Sequence, residues 1–341
     1  MQLKRVGVDI AKSVFQIHGV DGHEQVKVRK QIRRQDFLPF FRQLAPCLVA
    51  MEACGGAHYW ARELIKLGHE VRLIAPQFVK PYVKSGKNDA NDAEAICEAA
   101  SRPTMRFVAI KMAEQQAGQA LHRVRSRQVG ARTALVNELR GLLAEFGIVS
   151  STHGVSACRR LVAEALEDGD NGLPGAFRVL LAQLSEELQQ LDAHVATLDQ
   201  QIRQQCAADE RIQRLMAIEG VGPISASAIV ASVGDARQFP SGRAFAAWLG
   251  LVPSQHSSGG KARLGGITKR GDTYLRTVLI HGARAVVNTC KEKTDRRSRW
   301  VQDLVTRRNK NIATVALANK NARIIWSVLS SGDAYRAAVT S

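Results

Sequence analysis

The first quarter of the chain alternates short apolar segments with turns in an order that few folds use. Residues 3–10 and 14–20 each have the pattern of a β-strand. Asp21-Gly22 follows at once and is a strong hairpin signal, because this pair tolerates the backbone angles of a two-residue turn. Residues 25–29 continue as a third strand. The chain is therefore predicted to begin with three strands joined by short connections.

Helices and strands then alternate. A helix is predicted over 35–45, a strand over 48–52, a helix over 58–67 and a strand over 70–74. Gly68 suits the end of the second helix, and Pro76 ends the last strand. This β-β-β-α-β-α-β order is that of a ribonuclease-H-like or RuvC-like sheet. The sequence therefore predicts an α/β N-terminal domain, and 341 residues leave room for one or two more domains.

Four carboxylates stand out in this region. Asp9 lies within the first strand, Glu52 ends the fourth, and Asp89 and Asp92 lie one helical turn apart at the start of a helical pattern. Taken singly, the strand acids fit exposed strand positions, and the helical pair fits capping by Asp89 with Asp92 favouring the helix dipole. Taken together, they form an all-oxygen ligand set that Mg²⁺ or Mn²⁺ would neutralise.

Two long helical segments are predicted after residue 110. Residues 113–147 carry apolar positions at helical spacing, interrupted by arginines, and residues 150–175 are predicted to be irregular. The next segment, from Phe177 to Ile202, places apolar residues at alternating spacings of four and three, which is an unbroken heptad seam. Pro174 suits a position just before the start of this helix. The seam predicts a coiled coil, either between chains or folded back on residues 113–147.

A glycine-containing turn and a serine loop follow. Residues 215–230 have a helix–turn–helix pattern around Gly220 and Gly222, which is typical of a helix-hairpin-helix element that contacts DNA phosphates or of a simple helical corner. Residues 254–261 then form a loop with Ser257 and Ser258 beside glycines. Such a loop fits a nucleophile, a phosphate cradle or a flexible connection.

The charge of the chain favours a polyanionic partner. Its net charge is +17, and residues 251–341 contain 17 Lys and Arg against five Asp and Glu, a surplus of twelve. The alternative is a solvated basic face without a partner. The start of the chain lacks a signal-peptide pattern, and no apolar run reaches the length of a membrane span. Six scattered cysteines without a C-x-x-C pair fit a reducing cytoplasm and argue against zinc. With DNA as the polyanion, the protein is expected at the nucleoid.

Several motifs resemble those of one family, the transposases of the insertion sequence 110 family and its 1111 subgroup. The segment Val6–Lys12 is similar to the family's first acidic motif, and Met51–Gly55 is similar to its Glu motif with Cys54 where Thr is frequent. Lys87–Ala93 matches its Lys-x-Asp-x-x-Asp-Ala motif. The C-terminal part matches at Gly220–Pro223, at Ala247–Pro253, and at Ser257–Gly259 followed by Lys269–Gly271. The resemblance covers nearly the whole chain.

The resemblance implies three regions and a mechanism. These are a RuvC-like domain over 1–110, a helical and coiled-coil region over 111–208, and a mainly α-helical transposase domain over 209–335. It implies that Ser258, with Ser257 as the remaining alternative, is the nucleophile. It further implies a structured guide (bridge) RNA that specifies donor and target DNA, and a tetramer whose active sites combine domains of different protomers. The cationic residues expected to contact phosphates are Lys261, Lys269 and Arg270.

Three functions are compatible with these features. The first is an RNA-guided recombinase that forms a covalent serine–DNA intermediate with help from metal held by Asp9, Glu52, Asp89 and Asp92. The second is a RuvC-like nuclease in which water attacks and no adduct forms. The third is a non-catalytic nucleic-acid-binding protein, but such a protein gains nothing from carboxylates placed beside phosphates. The sequence favours the recombinase.

Overall fold

The computed structural model describes residues 2–84, 88–259, 261 and 263–336, and these fall into two compact units. The first unit ends at Gln116 and also includes Val233–Gln238. The other described residues form the second unit, which contains both the predicted helical region and most of the predicted C-terminal domain. The predicted boundaries after residues 110 and 208 remain predictions.

The first unit contains the predicted alternation of strands and helices. Its strands are β1 (Arg5–Ile10), β2 (Val14–Val20), β3 (Val26–Arg33), β4 (Leu48–Glu52), β5 (Glu70–Ile74) and β6 (Phe107–Val108). Its helices are α1 (Phe37–Arg42), α2 (Ala57–Lys66), α3 (Pro76–Val79) and α4 (Asp89–Ala99). The strand and helix positions predicted from the sequence are confirmed, with β3 four residues longer at its end than predicted.

The strands form one mixed sheet in the order β3-β2-β1-β4-β5-β6. β1, β2 and β3 are antiparallel neighbours, β4 and β5 run parallel to β1, and β6 is antiparallel to β5. This is the ribonuclease-H-like arrangement that the sequence predicts. Because β1 and β4 are adjacent and parallel, residues at their carboxyl ends lie at the same edge of the sheet.

The two faces of the sheet pack against different helices. On one face Val6 and Val8 of β1 join an apolar cluster with Phe15, Phe37 and Trp60. On the other face Ala50 of β4 packs in a cluster that contains Ala95, Ile96 and Ala99 of α4. Successive side chains of a strand point to opposite faces. Residues at even and odd positions of β1 therefore have different neighbours, and this places the acidic residues described below.

The second unit is almost entirely helical. Its helices are α5 (Ala113–Ala144, which begins in the first unit), α6 (Val155–Glu167), α7 (Gly175–Ala208), α8 (Glu210–Met216), α9 (Pro223–Val233), α10 (Gly242–Trp248), α11 (Thr273–Thr289), α12 (Arg296–Arg307) and α13 (Lys310–Ser331). A short hairpin of β7 (Pro253–Gln255) and β8 (Leu264–Ile267) lies between α10 and α11. Pro174 directly precedes α7, as predicted.

The prediction that residues 150–175 are irregular is wrong, because α6 occupies 155–167. Its buried positions recur at helical spacing but are mostly small or weakly apolar residues, which makes the pattern faint in the sequence. They are Ala157, Cys158, Leu161, Val162 and Ala165. All of them except Ala157 pack with α5 and α7 in one cluster. The helix is therefore stabilised by its neighbours rather than by a strong local signal.

The heptad seam of α7 packs within its own chain along one row. Leu181, Leu188, Val195 and Ile202, spaced seven residues apart, are buried in the single chain. Leu181 and Leu188 belong to a cluster with Leu139 of α5 and with α6. Ion pairs from Arg125 and Arg132 of α5 to Asp199 and Asp192 of α7 flank the contact. The folded-back alternative therefore accounts for this row, and pairing between chains remains a proposal.

Among the described helices, none is long and apolar enough to span a membrane.

Candidate active site

Asp9 faces α4 because of its position in β1. Two residues before it, Gly7 lies so close to α4 that a Cβ there would stand 2.2 Å from the carbonyl oxygen of Ala93. Four residues before it, the Arg5 guanidinium donates a hydrogen bond of 2.7 Å from Nε to the carbonyl oxygen of Cys97. Residues two apart on a strand share a face. Asp9 therefore lies on the same face of β1 as Arg5 and Gly7, beyond Ala93 and toward the start of α4.

Glu52 lies beside Asp9 on the same face of the sheet. Val8 is paired with Met51 in the parallel register of β1 and β4, so the next residues of the two strands follow side by side. Ala50 contacts the α4 cluster, and Glu52 lies two residues further on. Both carboxylates therefore occupy the carboxyl ends of adjacent parallel strands, below the N-terminus of α4.

The start of α4 supplies the other two carboxylates. Asn88 caps this helix, since its side-chain oxygen accepts a hydrogen bond of 3.0 Å from the backbone N–H of Ala90. Capping by Asp89 is therefore the wrong alternative, and Asp89 is the first residue of the helix. Asp92 lies one turn later on the same face. Lys87, which belongs to the same motif, lies outside the described residues.

Three of the four predicted carboxylates converge. One oxygen each of Asp9, Asp89 and Asp92 lies within 4.8 Å of the others. Glu52 is outside this group of three, but its charge acts on Asp9. Within the described part of the chain, none of the four forms an ion pair with a Lys or Arg side chain. Among the described residues, the cluster is therefore an acidic site without a compensating cation.

Burial and the neighbouring negative charges change the acidity of the strand carboxylates. Burial, followed by the charges of Asp89, Asp92 and Glu52, raises the pKa of Asp9 to about 6. Burial and then the charge of Asp92 also raise the pKa of Glu52. Carboxylates held together against their repulsion are a fitting ligand set for a hard divalent cation, which prefers oxygen donors. The residues present therefore fit the predicted Mg²⁺ or Mn²⁺.

Ser258 lies in the tip of the β7–β8 hairpin. Its carbonyl oxygen accepts a hydrogen bond of 3.1 Å from the backbone N–H of Lys261, which closes the tip. Ser258 and Lys261 are both exposed. The hydroxyl of the neighbouring Ser257 differs, because it accepts a hydrogen bond of 2.8 Å from Gln255 Nε2. Gly260 and Ala262 lie outside the described residues.

The base of this hairpin is built from two interlocked backbone segments. Gly250 and Gly271 have φ angles of +71° and +82°. A Cβ at Gly250 would stand 2.1 Å from the carbonyl oxygen of Arg270, and one at Gly271 would stand 2.0 Å from that of Trp248. The segment with Lys269 and Arg270 is therefore tightly packed through its backbone while both cationic side chains are exposed.

Arg276 holds the same segment from below and was missed by the sequence analysis. It is buried in α11 and donates hydrogen bonds from Nη1 to the carbonyl oxygens of Arg270, at 3.1 Å, and Leu249, at 3.4 Å. An arginine within an otherwise apolar helical stretch is the signal that could have found it, because a buried cation requires partners.

Gly220 and Gly222 have different surroundings. Gly220 has a φ of +84° and packs against α11, where a Cβ would stand 3.0 Å from the carbonyl oxygen of Gly282. Gly222 is exposed, and an added Cβ would meet no atom within 4 Å. Packing within the unit thus accounts for the first glycine. The second leaves room for the predicted approach of a DNA phosphate, which remains a proposal.

Two family models match the chain. Residues 6–148 match a DEDD transposase model of IS110, and residues 212–299 match the model described as Transposase IS116/IS110/IS902 family. A probable family 20 transposase of Pseudomonas aeruginosa is 63% identical over 98% of this chain and 99% of its own. The transposase for insertion sequence element IS1111A of Coxiella burnetii is 46% identical, over 98% of this chain and 92% of its own. The transposase for IS1328 of Yersinia enterocolitica is 42% identical, over 97% and 98%.

Proposed function

Because the chain belongs to the IS116/IS110/IS902 family of transposases, we propose that it moves a DNA element through a covalent intermediate on Ser258. As a DNA transposase, it acts on phosphodiester bonds of DNA. The observation that carries the mechanistic proposal is the convergence of Asp9, Asp89 and Asp92 without a cationic partner among the described residues. Such a cluster is costly to fold unless it serves a bound cation.

The acidic cluster would hold Mg²⁺ or Mn²⁺ through Asp9, Asp89 and Asp92, with Glu52 as the neighbouring fourth carboxylate. A divalent cation bound there supplies positive charge to the scissile phosphate and to the developing oxyanion. The role of the protein is to keep these carboxylates in position at one sheet edge. Gly7 and Asn88 do so by allowing α4 to approach β1 and by fixing where the helix begins.

Ser258 would carry out the transfer. Its Oγ attacks a DNA phosphorus atom, so that an Oγ–P bond forms as a backbone P–O bond breaks. The hydroxyl proton leaves Ser258, and the released DNA oxygen takes up a proton. Attack by another DNA hydroxyl on the phosphoserine reverses the bond changes and joins strands without hydrolysis. The exposed cations Lys261, Lys269 and Arg270 would bind the flanking phosphates.

The proposal also includes the partners that the resemblance implies. The net charge of +17 supports binding of a structured guide RNA together with donor and target DNA. The apolar residues Val179 and Leu180 of α7 are exposed in the single chain and offer a surface for assembly into a tetramer.

The experiment is trapping of the adduct. Wild-type protein is incubated with Mg²⁺, DNA carrying the element's own ends and RNA transcribed from the flanking segment, and is then denatured. We expect a protein–DNA adduct whose modified peptide contains Ser258. Ser258→Ala should lose the adduct and strand joining by several orders of magnitude, whereas Ser257→Ala should retain activity.

Three results would overturn parts of this mechanism. DNA cleaved by Ser258→Ala without any adduct would identify the water-attacking nuclease instead. An adduct on a different residue would remove Ser258 from the nucleophile's role. Full activity of Asp92→Asn, or of wild type in excess chelator, would remove the metal from the mechanism.

A further inference from the structure

A cationic groove lies in the first unit, at the same edge of the sheet as the acidic cluster. We use the term cationic groove for the cavity of about 880 Å³ whose lining includes Lys12, Arg33, Arg34, Arg42, Leu38 and Trp60. Its residues come from the β1–β2 turn, the end of β3, and helices α1 and α2. The volume falls within the range of about 300–1,000 Å³ typical of ligand sites.

The charge of the groove is uncompensated. Its lining contains four cations and no Asp or Glu. None of these cations forms an ion pair with the described residues. All four side chains are exposed. Like charges gathered from separate elements repel one another, so this arrangement favours an anionic ligand.

One of the cations is already held in place. The guanidinium of Arg34 lies over the Trp60 ring, 5.0 Å from its centroid, and Nη1 donates a hydrogen bond of 3.4 Å to the carbonyl oxygen of Lys12. Arg34 is nevertheless exposed, and a planar guanidinium can stack with a base. Apolar lining from Leu38 and Pro39 lies beside it. Cations combined with a stacking surface are typical of sites for single-stranded nucleic acid.

The position of the groove relates it to the acidic cluster. Lys12 follows Asp9 by three residues, so their Cα atoms are at most about 11 Å apart. Ile10 is paired with Phe15, and Val14 with Arg33, so the end of β1, the start of β2 and the end of β3 lie at one sheet edge. The acidic cluster is on the α4 face, whereas Trp60 packs on the opposite face. A nucleic-acid strand that crosses this edge of the sheet would pass from the cationic groove to the acidic cluster.

We propose that the cationic groove binds a single strand of nucleic acid whose neighbouring segment reaches the acidic cluster. The phosphodiester backbone contacts the cations, and a base stacks on Arg34. The inference rests on the proposed function for the nature of the polyanion. It does not depend on Ser258, on catalysis or on a bound metal.

The test measures binding of fluorescent 12-nucleotide probes to the full-length protein in EDTA over a range of salt concentrations. Single-stranded DNA, single-stranded RNA of the same sequence and duplex DNA are compared by anisotropy. The main variant is Arg33→Gln/Arg42→Gln, because, unlike Arg34, neither of these side chains lies over the buried Trp60 ring. The matched control is Lys80→Gln/Arg106→Gln, two exposed cations of the same unit that lie outside the groove and form no ion pair with the described residues.

We expect the main variant to bind single strands more weakly and with a smaller salt dependence. Each lost phosphate contact lowers the slope of log K against log salt by about 0.7, so two contacts lower it by about 1.4. The control should keep the wild-type slope. Arg34→Gln removes one charge, so it should change the slope less than the double variant does. It should still weaken binding, because it also removes the stacking surface. Tighter binding of either DNA or RNA supports the inference and identifies the source of the strand.

Two outcomes would overturn the inference, and they differ from failure of the proposed function. A main variant with the same affinity and slope as the control would show that the groove does not hold the strand. An equal loss for duplex and single strands would show a duplex contact instead. If wild type bound no nucleic acid at any salt concentration, the proposed function would fail as well. If wild type bound single strands through the groove but formed no adduct on Ser258, only the chemical mechanism would be rejected.

Discussion

Gly7 of β1 and Ala93 of α4 approach so closely that a Cβ on the glycine would stand 2.2 Å from the alanine carbonyl oxygen. Side chains of ordinary residues do not tolerate such a distance, so any larger residue at position 7 must displace the helix. Because Asp89 and Asp92 belong to the first turn of that helix, their distance from Asp9 depends on this contact. The glycine thus sets the geometry of a site to which it contributes no ligand.

Gly7→Ala should therefore weaken metal binding without removing a carboxylate. We expect Mn²⁺ affinity, measured by calorimetry, to fall at least about tenfold, since small displacements of ligands are costly at a rigid site. Gly22→Ala is the control, because an added Cβ there meets no atom within 4 Å. Unchanged Mn²⁺ affinity in Gly7→Ala would show that α4 can move away without disturbing the carboxylates.

Asp9 should make the metal-free protein less stable as the pH rises. Its pKa is raised from 3.8 to about 6 in the folded state, so the folded protein binds the proton more tightly than the unfolded chain does. The loss of stability caused by ionised Asp9 is absent below about pH 4, grows as the pH rises toward 6 and is complete above that. In EDTA at pH 8, Asp9→Asn should unfold at a higher denaturant concentration than wild type. Its free energy of unfolding should be higher by about 1–2 kcal/mol after allowance for solvent screening.

The difference between Asp9→Asn and wild type should shrink at pH 4.5 and should reverse in sign when saturating Mn²⁺ is added at pH 8, because only wild type retains all ligands. Asp36→Asn, at an exposed position outside the cluster, is the control. If Asp9→Asn stabilised the protein equally at both pH values, ionisation of Asp9 would not be the cause.

Substitutions at Leu188 and Leu180 of α7 should distinguish the role of this helix in folding from its role in assembly. Leu188 is 1% exposed within the chain, whereas Leu180 is 54% exposed. Leu188→Ala should lower the free energy of unfolding by about 2–5 kcal/mol through the lost contacts and the cavity. Leu180→Ala should leave monomer stability nearly unchanged and, if its face joins protomers, lower the mass measured by light scattering. A small effect of Leu188→Ala would contradict the buried packing of the seam.

Arg276 should act as a positioning residue for the segment that carries Lys269 and Arg270. Arg276→Met removes the hydrogen bond to the carbonyl oxygen of Arg270 in this segment and the one to Leu249 beside it, so the exposed segment should become more accessible to trypsin. We expect faster cleavage after Lys269 and Arg270, followed by mass spectrometry, together with weaker DNA binding. Arg284→Met, an exposed arginine on the same helix, should leave the cleavage rate unchanged. Equal rates in both variants would show that glycine packing alone holds the segment.

Features that depend on local periodicity could be predicted from the amino-acid sequence. Apolar runs and the turn at Asp21-Gly22 predicted β1, β2 and β4, and with them the position of Asp9 within the first strand and of Glu52 at the end of the fourth. The heptad spacing of α7 was equally clear. These patterns are visible without a structure because side-chain direction repeats every two residues in a strand and every 3.6 in a helix. The helix α6 escaped because small residues bury little area each.

Which of these features come into contact depends on the packing of the folded chain. The close approach of Gly7 to Ala93 brings three carboxylates together, while Glu52 lies outside their group. Capping by Asn88 leaves Asp89 in the first turn, and burial of Leu188 shows that α7 packs on its own chain. The cations of the groove are up to 30 residues apart in the sequence, as Lys12 and Arg42 are. Periodicity carries no information about contacts of this kind, because they depend on how whole elements pack.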